Sequence, residues 1–322
     1  MPSAFDGVPG FADLPLRRRL RARLLWALQT HGAGPARAVR DALPSSLART
    51  VRRALAPAAL RDAPLASLPV DALPPEPTAA PRAGHPEASI VIPSRAAPTL
   101  AQCLRAVAAH TRRAHEVIVV DDAADTPLDR IAGATVLRNP TRRGFVASAN
   151  RGAGAARADV LVFLNDDALV TPGWLGALLD ALRDAPGAGL VGPASNATGD
   201  AATFDVAYRD LDGLLRVARE RRGPLREVPK LSLFCAAIPA ALFERVGGLD
   251  EGYGLGLFED DDLCMALRRR GRRVLLVPDA FVHHHGSTSF ARLGDAARLA
   301  RFEVNRRRFE AKWRTRWRAP RP

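Results

Sequence analysis

Three groups of carboxylates punctuate this chain: Asp121-Asp122, Asp166-Asp167 and the run Glu259-Asp260-Asp261-Asp262. Taken singly, an Asp pair after a strand reads as a turn or a helix cap. Two of the three groups directly follow short apolar runs, Val117–Val120 and Val160–Leu164, and that repetition favours a cation site. Mg2+ and Mn2+ take oxygen ligands, usually one or two carboxylates with substrate phosphates completing the shell. A strand end fixes a carboxylate while leaving coordination positions open. A second cluster, His283-His284-His285, uses three of the seven histidines. Its bland reading is a polar turn after a strand at Val274–Val277. A folded domain would bring it near the third acidic group, although imidazole suits Mn2+ less than carboxylate does.

The elements that must position these residues alternate. Ser89–Pro93 is an apolar run stopped by proline, and Thr99–His110 has helical periodicity. Glu116–Val120 reads as a buried strand, Gly144–Ala156 as a small-residue helix and Val160–Leu164 as a third strand. Pro172–Asp184 follows as a helix with proline at its start, then a strand around Leu190–Gly192. Strands alternating with helices predict an α/β domain with a mainly parallel sheet, whose ligands bind at the carboxyl ends of the strands. Gly152-Ala153-Gly154 is too short for a dinucleotide fingerprint and is expected to serve helix packing. No internal repeat is evident.

Upstream, residues 1–62 read as basic helices rich in Arg, Ala and Leu, with Leu20, Leu24, Leu25 and Leu28 at helical spacing and a second, less regular segment at Pro35–Ala56. Residues 63–88 form a proline-rich linker. The catalytic domain is expected over 89–290, and 291–322 is a basic helical tail. The formal net charge of +13 sits at the ends. Residues 1–85 hold 12 basic against 6 acidic side chains and residues 291–322 hold 11 against 3, leaving the middle nearly neutral. A nucleic-acid enzyme concentrates positive charge around its chemistry, so no nucleic-acid partner is expected.

No apolar run is long enough for a membrane span, and the N-terminus does not read as a signal peptide. Cys103, Cys235 and Cys264 are odd in number and widely spaced, which suits free thiols in a reducing cytosol. Asn196-Ala197-Thr198 fits a glycosylation sequon that a cytosolic protein would not use.

From about Ser89 to Trp313 the chain resembles the family 2 glycosyltransferases, with strongest likeness to the bacterial surface-polysaccharide and rhamnosyltransferase-like group. Ser89-Ile90-Val91-Ile92-Pro93, Val119-Val120-Asp121-Asp122, Arg143-Gly144-Phe145 with Asn150, Phe163-Leu164-Asn165-Asp166-Asp167, Gly247-Gly248-Leu249-Asp250-Glu251 and Phe258–Leu263 follow the family's motifs in order. Asn305 to Trp313 resembles a frequent C-terminal block. The resemblance implies a GT-A-type, Rossmann-like fold: a mixed, mainly parallel sheet flanked by helices, here with an N-terminal helical extension. It implies a nucleotide-diphosphate sugar donor held by Pro93, Arg95, Asp121, Asp122, Arg143, Asn150, Asn165 and Asp166. It places Mg2+ or Mn2+ on Asp167 and His284, Asp260 as general base, and Glu259 and Asp262 on the acceptor side.

Leu233, Leu257 and Ala123-Ala124 depart from the family pattern, where glycine, asparagine and a small Gly/Ser step are usual. The implied reaction is an inverting displacement onto a hydroxyl of a saccharide or lipid-linked saccharide. Like charges beside Asp260 are expected to raise its pKa into a useful range. Asp261 reads as a first-turn acid complementing the helix dipole.

Two rivals stand beside this reading. A nucleotidyltransferase would want a Gly/Arg/Lys-rich loop where this chain has Ser94-Arg95-Ala96-Ala97-Pro98, poor in glycine and without lysine. A non-catalytic adaptor would have no need of Asp167, Asp260 and His284. The basic ends are expected to hold the chain peripherally at the cytoplasmic face of an anionic membrane, with docking on the catalytic domain as the alternative.

Overall fold

The computed structural model describes residues 8–20, 22, 68–69, 84–95, 98–198, 200–286 and 295–319. The expected helix at Pro35–Ala56 and most of the linker lie outside the described residues. The chain divides into two compact units, residues 1–64 with 287–317, and residues 65–286 with 318–322.

The second unit is built on a nine-stranded sheet among the described residues. Its strands are β1 (Ala88–Ser94), β2 (His115–Asp121), β3 (Ala134–Arg138), β4 (Val160–Leu164), β5 (Ala168–Val170), β6 (Ala188–Ala194), β7 (Arg226–Glu227), β8 (Cys235–Pro239) and β9 (Arg273–His284). The order is β3-β2-β1-β4-β8-β6-β9-β5, with β7 on β9. Strands β1 to β4 pair in parallel; β8 runs antiparallel between β4 and β6; β9 is parallel to β6. The sheet is thus mixed and mainly parallel. Its central strands are near-continuous apolar runs because helices cover both faces. Val91, Ile92, Val162, Phe163, Val191 and Leu276 are all fully enclosed.

Helices α1 (Leu100–His110), α2 (Gly144–Gly154), α3 (Trp174–Asp184), α4 (Leu211–Glu220), α5 (Ala240–Arg245) and α6 (Glu259–Arg269) complete this unit. The small residues of α2 let it sit close to the sheet. A Cβ on Gly152 would lie 2.3 Å from Val91 Cγ1, so glycine is needed there. Helix α3 begins at Trp174 rather than Pro172, because Gly173 turns the chain at φ +85°.

The histidine run is not a turn. Strand β9 continues through His284, extended by its antiparallel pairing with β5, so His283 and His284 are strand residues with opposite faces. Weakly periodic sequence around Pro278-Asp279-Ala280 hides this continuity.

In the first unit, α7 (Asp295–Trp313) accompanies a short helical stretch at residues 16–20. Phe11, Leu14, Ala22 and Ala300 form a small core, and Arg18 pairs with Glu310 at 2.5 Å. Leu16 and Leu20 are exposed. No described helix is long and apolar enough to cross a membrane.

Candidate functional site

The carboxyl ends of β1, β2 and β4 lie side by side in the sheet, and the loop entering the antiparallel β8 reaches the same edge. The acidic pairs therefore converge, as strand order requires.

Asp121 is fully buried. It accepts from the backbone N–H groups of Ala124 (2.7 Å) and Leu128 (3.1 Å) and pairs with the Arg138 guanidinium. Asp122 is also buried and serves the start of α2, accepting from Arg143 N at 2.7 Å and Gly144 N at 2.8 Å, with Asn139 Nδ2 at 2.9 Å. A carboxylate at a helix N-terminus satisfies otherwise orphaned donors. Gly144 has φ +86°, and a Cβ there would lie 2.5 Å from Leu255 Cα, so no other residue fits without displacement.

Arg143 and Asn150 both reach the Gly247–Glu251 block. Arg143 Nη2 donates to Glu251 Oε2 at 2.7 Å. Asn150 pairs with the backbone of Leu249 through donor and acceptor, at 2.8 and 2.9 Å. Arg95 approaches Asp125 at 3.7 Å, and Pro93 is a β1 residue paired in register with Val120.

At the end of β4, Ser94 Oγ donates to Asp166 Oδ2 at 2.6 Å. Burial pushes the Asp166 carboxyl up to about 6; the Ser94 hydrogen bond opposes this, and the charge of Asp167 adds to it. Asn165 N donates to Phe234 O at 2.7 Å, tying β4 to the segment before β8. Asp167 Oδ1 faces His284 Nε2 at 3.2 Å. His284 Nδ1 lies 2.7 Å from the Ala197 carbonyl, which only accepts, so Nδ1 carries a proton. In the neutral ring Nε2 then presents a lone pair to a carboxylate oxygen. Two acceptors that close repel unless a positive centre lies between them, either the second proton of an imidazolium or a metal ion. Burial lowers the His284 pKa, but the Asp167 hydrogen bond and charge outweigh it and raise the value overall.

This donor set fits a divalent ion. One carboxylate and one imidazole, whose second nitrogen is held by a backbone carbonyl, form the usual orientation of a metal-binding histidine. No group of three or more His, Cys, Asp or Glu among the described residues is arranged to hold an ion unaided, so further ligands would come from elsewhere.

The two flanking histidines have different surroundings. His283 is buried, its Nδ1 is 2.7 Å from Tyr208 Oη, and burial with its histidine neighbours lowers its pKa to about 3. His285 Nε2 meets Gln102 Oε1 at 2.7 Å.

Helix α6 opens with four acids, launched by two consecutive left-handed residues, Leu257 (φ 75°) and Phe258 (φ 78°). Beside Asp260, the Glu259 carboxyl is driven well above the carboxylate range by burial and then by the Asp260 charge. At Asp260 the Lys230 ammonium stands 3.1 Å away, and it also meets Asp261 at 2.7 Å. Asp261 is thus an ion-pair partner as well as a first-turn acid. Asp262 points inward and accepts from Tyr253 Oη at 3.0 Å.

Lys230 has no counterpart in the motif reading. Its one available signal is compositional: the chain holds 45 arginines and only two lysines, Lys230 and Lys312. A compact ammonium can bridge two carboxylates where a planar guanidinium would need more room.

The segment Lys230–Phe234 joins both parts of the site. Leu231 N approaches Cys264 Sγ at 3.5 Å, Ser232 N donates to Asp200 Oδ2 at 2.7 Å, and the Phe234 ring lies 4.7 Å from that of His284.

Residues 89–246 match the family described as glycosyl transferase family 2. Over 215 residues the chain is 32% identical to a pre-mycofactocin glycosyltransferase of Mycobacterium tuberculosis. That match covers 63% of this chain and 44% of the relative, so the chain spans less than half of that protein's length. Over 234 residues it is 29% identical to an N-acetylglucosaminyl-diphospho-decaprenol L-rhamnosyltransferase of the same organism, covering 61% of this chain and 74% of the relative. The crystal structure of GalNAc-T7 with UDP, GalNAc and Mn2+ superposes with a TM-score of 0.50 at 19% identity, covering 61% of this chain and 43% of that one. That likeness shows the fold, a GT-A sheet.

Proposed function

We propose that this chain, a member of glycosyltransferase family 2 through its domain at residues 89–246, moves a sugar from a nucleoside-diphosphate donor onto a hydroxyl acceptor with inversion. The observation that carries the reading is the Asp167–His284 pair at a strand end, joined through Lys230–Phe234 to the acids opening α6.

Asp167 and His284 Nε2 would hold Mg2+ or Mn2+, leaving the remaining positions to diphosphate oxygens. Bound there, such an ion would supply positive charge against the departing diphosphate. The chain's own residues do the rest. Arg143, Asn165 and Asp166 lie on the donor side, with Pro93 and Arg95 at the end of β1. Asp121, Asp122 and Asn150 act there as supports, since their polar atoms are engaged by the protein.

Asp260 takes the proton of the acceptor hydroxyl as its oxygen bonds the anomeric carbon and the bond to the diphosphate breaks. Lys230 Nζ, 3.1 Å away, holds the Asp260 carboxyl in place. Glu259 is on the acceptor side as a neutral acid near pH 7, and Asp262 acts there as a support held by Tyr253. A lipid-linked saccharide acceptor suits the decaprenol-linked substrate in the name of one relative. The basic ends, with exposed Leu16 and Leu20, would then serve peripheral contact with the cytoplasmic membrane face.

The test is a panel of UDP-, GDP- and dTDP-sugars screened for thermal stabilisation with and without Mn2+, followed by transfer assays on Asp167→Ala and Asp260→Asn. Expected are metal-dependent stabilisation by one donor, its loss in Asp167→Ala, and retained donor binding with turnover lowered at least ~100-fold in Asp260→Asn. Stabilisation by no donor, or full turnover in Asp260→Asn, would overturn the reading.

A further inference from the structure

The sequon-like Asn196-Ala197-Thr198 is left unexplained by the family motifs, yet two of its residues grip His284 at three points. Asn196 Oδ1 accepts from His284 N at 2.8 Å, and Asn196 Nδ2 donates to His284 O at 3.0 Å. One side-chain amide thus satisfies both backbone groups of His284, in the manner of a neighbouring strand. The next residue's carbonyl, Ala197 O, takes the imidazole Nδ1–H at 2.7 Å.

These contacts come where β6 and β9 part. Their parallel register shifts between Pro193 and Ala194, and β9 then runs on to pair with β5. At His284 the ladder from β6 has stopped, and Asn196 replaces it. The loop carrying Asn196 is itself anchored. Buried Asp200 accepts from Ala202 N (2.8 Å), Thr198 Oγ1 (2.7 Å) and Ser232 N (2.7 Å), while Ser195 N donates to Ala202 O at 2.9 Å.

We propose that Asn196 is a positioning residue for the metal site: it sets the backbone of His284 so that Ala197 O fixes the ring and Nε2 faces Asp167. The inference rests on the reading of His284 as a metal ligand. Asn196 fixes the strand position directly, and the Ala197 carbonyl beside it fixes the ring and the Nδ1 proton, so that Nε2 is turned toward Asp167, with Asn165 Nδ2 at 3.4 Å. Outer partners of this kind affect metal affinity by about 10- to 100-fold. The Thr198 hydroxyl belongs to the same device by capping Asp200, so the sequon pattern has an internal structural cause.

The experiment is titration with Mn2+ alone, following the free-ion signal by electron paramagnetic resonance, on the full chain and on Asn196→Ala, Asn196→Asp, His284→Ala and the double variant Asn196→Ala/His284→Ala. Urea unfolding of each identifies the folded variants. Asn196→Ala is expected to weaken Mn2+ binding about tenfold. Asn196→Asp, which keeps the acceptor for His284 N and loses the donor to His284 O, should fall between and serves if the alanine variant does not fold. The double variant should bind no more weakly than His284→Ala, because Asn196 acts through that ring.

If His284→Ala weakens binding while a folded Asn196 variant matches the wild type, or if the two losses add, this inference is wrong and the metal assignment stands. If His284→Ala binds Mn2+ as the wild type does, the metal assignment fails and takes this inference with it.

Discussion

Glutamine at position 259 would separate charge from shape at the start of α6. Glu259 Oε2 is enclosed without a hydrogen-bond partner among the described residues, and its carboxyl titrates near about 8 rather than at its ordinary value of 4.5. Burial is the leading cause and the Asp260 charge the next; Lys230 opposes them. An acid whose folded value lies above its unfolded value costs the folded state nothing below about pH 4.5, and progressively more up to about pH 8. The limiting slope is about 1.4 kcal/mol per pH unit, so roughly 4 kcal/mol accrues between about pH 5 and pH 8. The side chain keeps partial exposure, which halves the expectation to roughly 2 kcal/mol. Glu259→Gln removes this slope and nearly preserves the volume. Urea unfolding of both proteins at several pH values reads it: the variant should gain about 2 kcal/mol relative to wild type from about pH 5 to pH 8. Parallel stability curves would refute the view that a buried neutral acid stands beside Asp260.

Three further outcomes follow from local geometry. Lys230→Met keeps the bulk of the side chain but leaves Asp260 and Asp261 without their ammonium; unfolding at neutral pH should show a loss of about 1.5–3 kcal/mol, less than a fully buried pair would lose because all three side chains keep partial exposure. Ala123 holds φ +53°, so Ala123→Gly should stabilise the folded chain by about 1 kcal/mol in the same assay, since glycine adopts that region without strain. Gly144→Ala places a Cβ 2.5 Å from Leu255 Cα at a positive φ, and should lower thermal stability by several degrees or more and weaken donor-dependent stabilisation.

The sheet was legible where strands are buried on both faces. Ser89–Pro93, Glu116–Val120 and Val160–Leu164 read as strands because parallel pairing demands unbroken apolar runs, and β1, β2 and β4 contain them. Strands β5, β7 and β8 were not legible: three or two residues in the first two cases, and in β8 the alanine-rich Cys235–Pro239, whose sequence favours no period. The bland alternative of a turn at the histidine run is excluded for His283 and His284, and the strand there was hidden for a related reason. Pro278 and Asp279 interrupt the pattern inside a strand whose register on β6 shifts across them and whose other partner is β7 before them and β5 after them.

Two departures from the family pattern gain a physical meaning. Leu257 and Ala123 stand where asparagine and a small Gly/Ser residue are usual, and both have positive φ. The backbone keeps the conformation those residues favour, although the side chains do not favour it. The fold therefore over-determines both turns, which carry the acids of β2 and α6.

Family motifs, found by residue type and order, include groups that join one motif to another, as Arg143 and Asn150 do. They leave out the joints made by residues 230–234. Lys230, Leu231, Ser232 and Phe234 each contact a different element: the start of α6, Cys264 within it, Asp200 in the loop after β6, and Asn165 with His284. None has a chemistry-bearing spacing along the chain, because its partners lie roughly 30 to 70 residues away in sequence. Moving this segment would shift Asp260 and His284 together, so on the proposed reading the separation of base and metal ligand is set by the entry to β8.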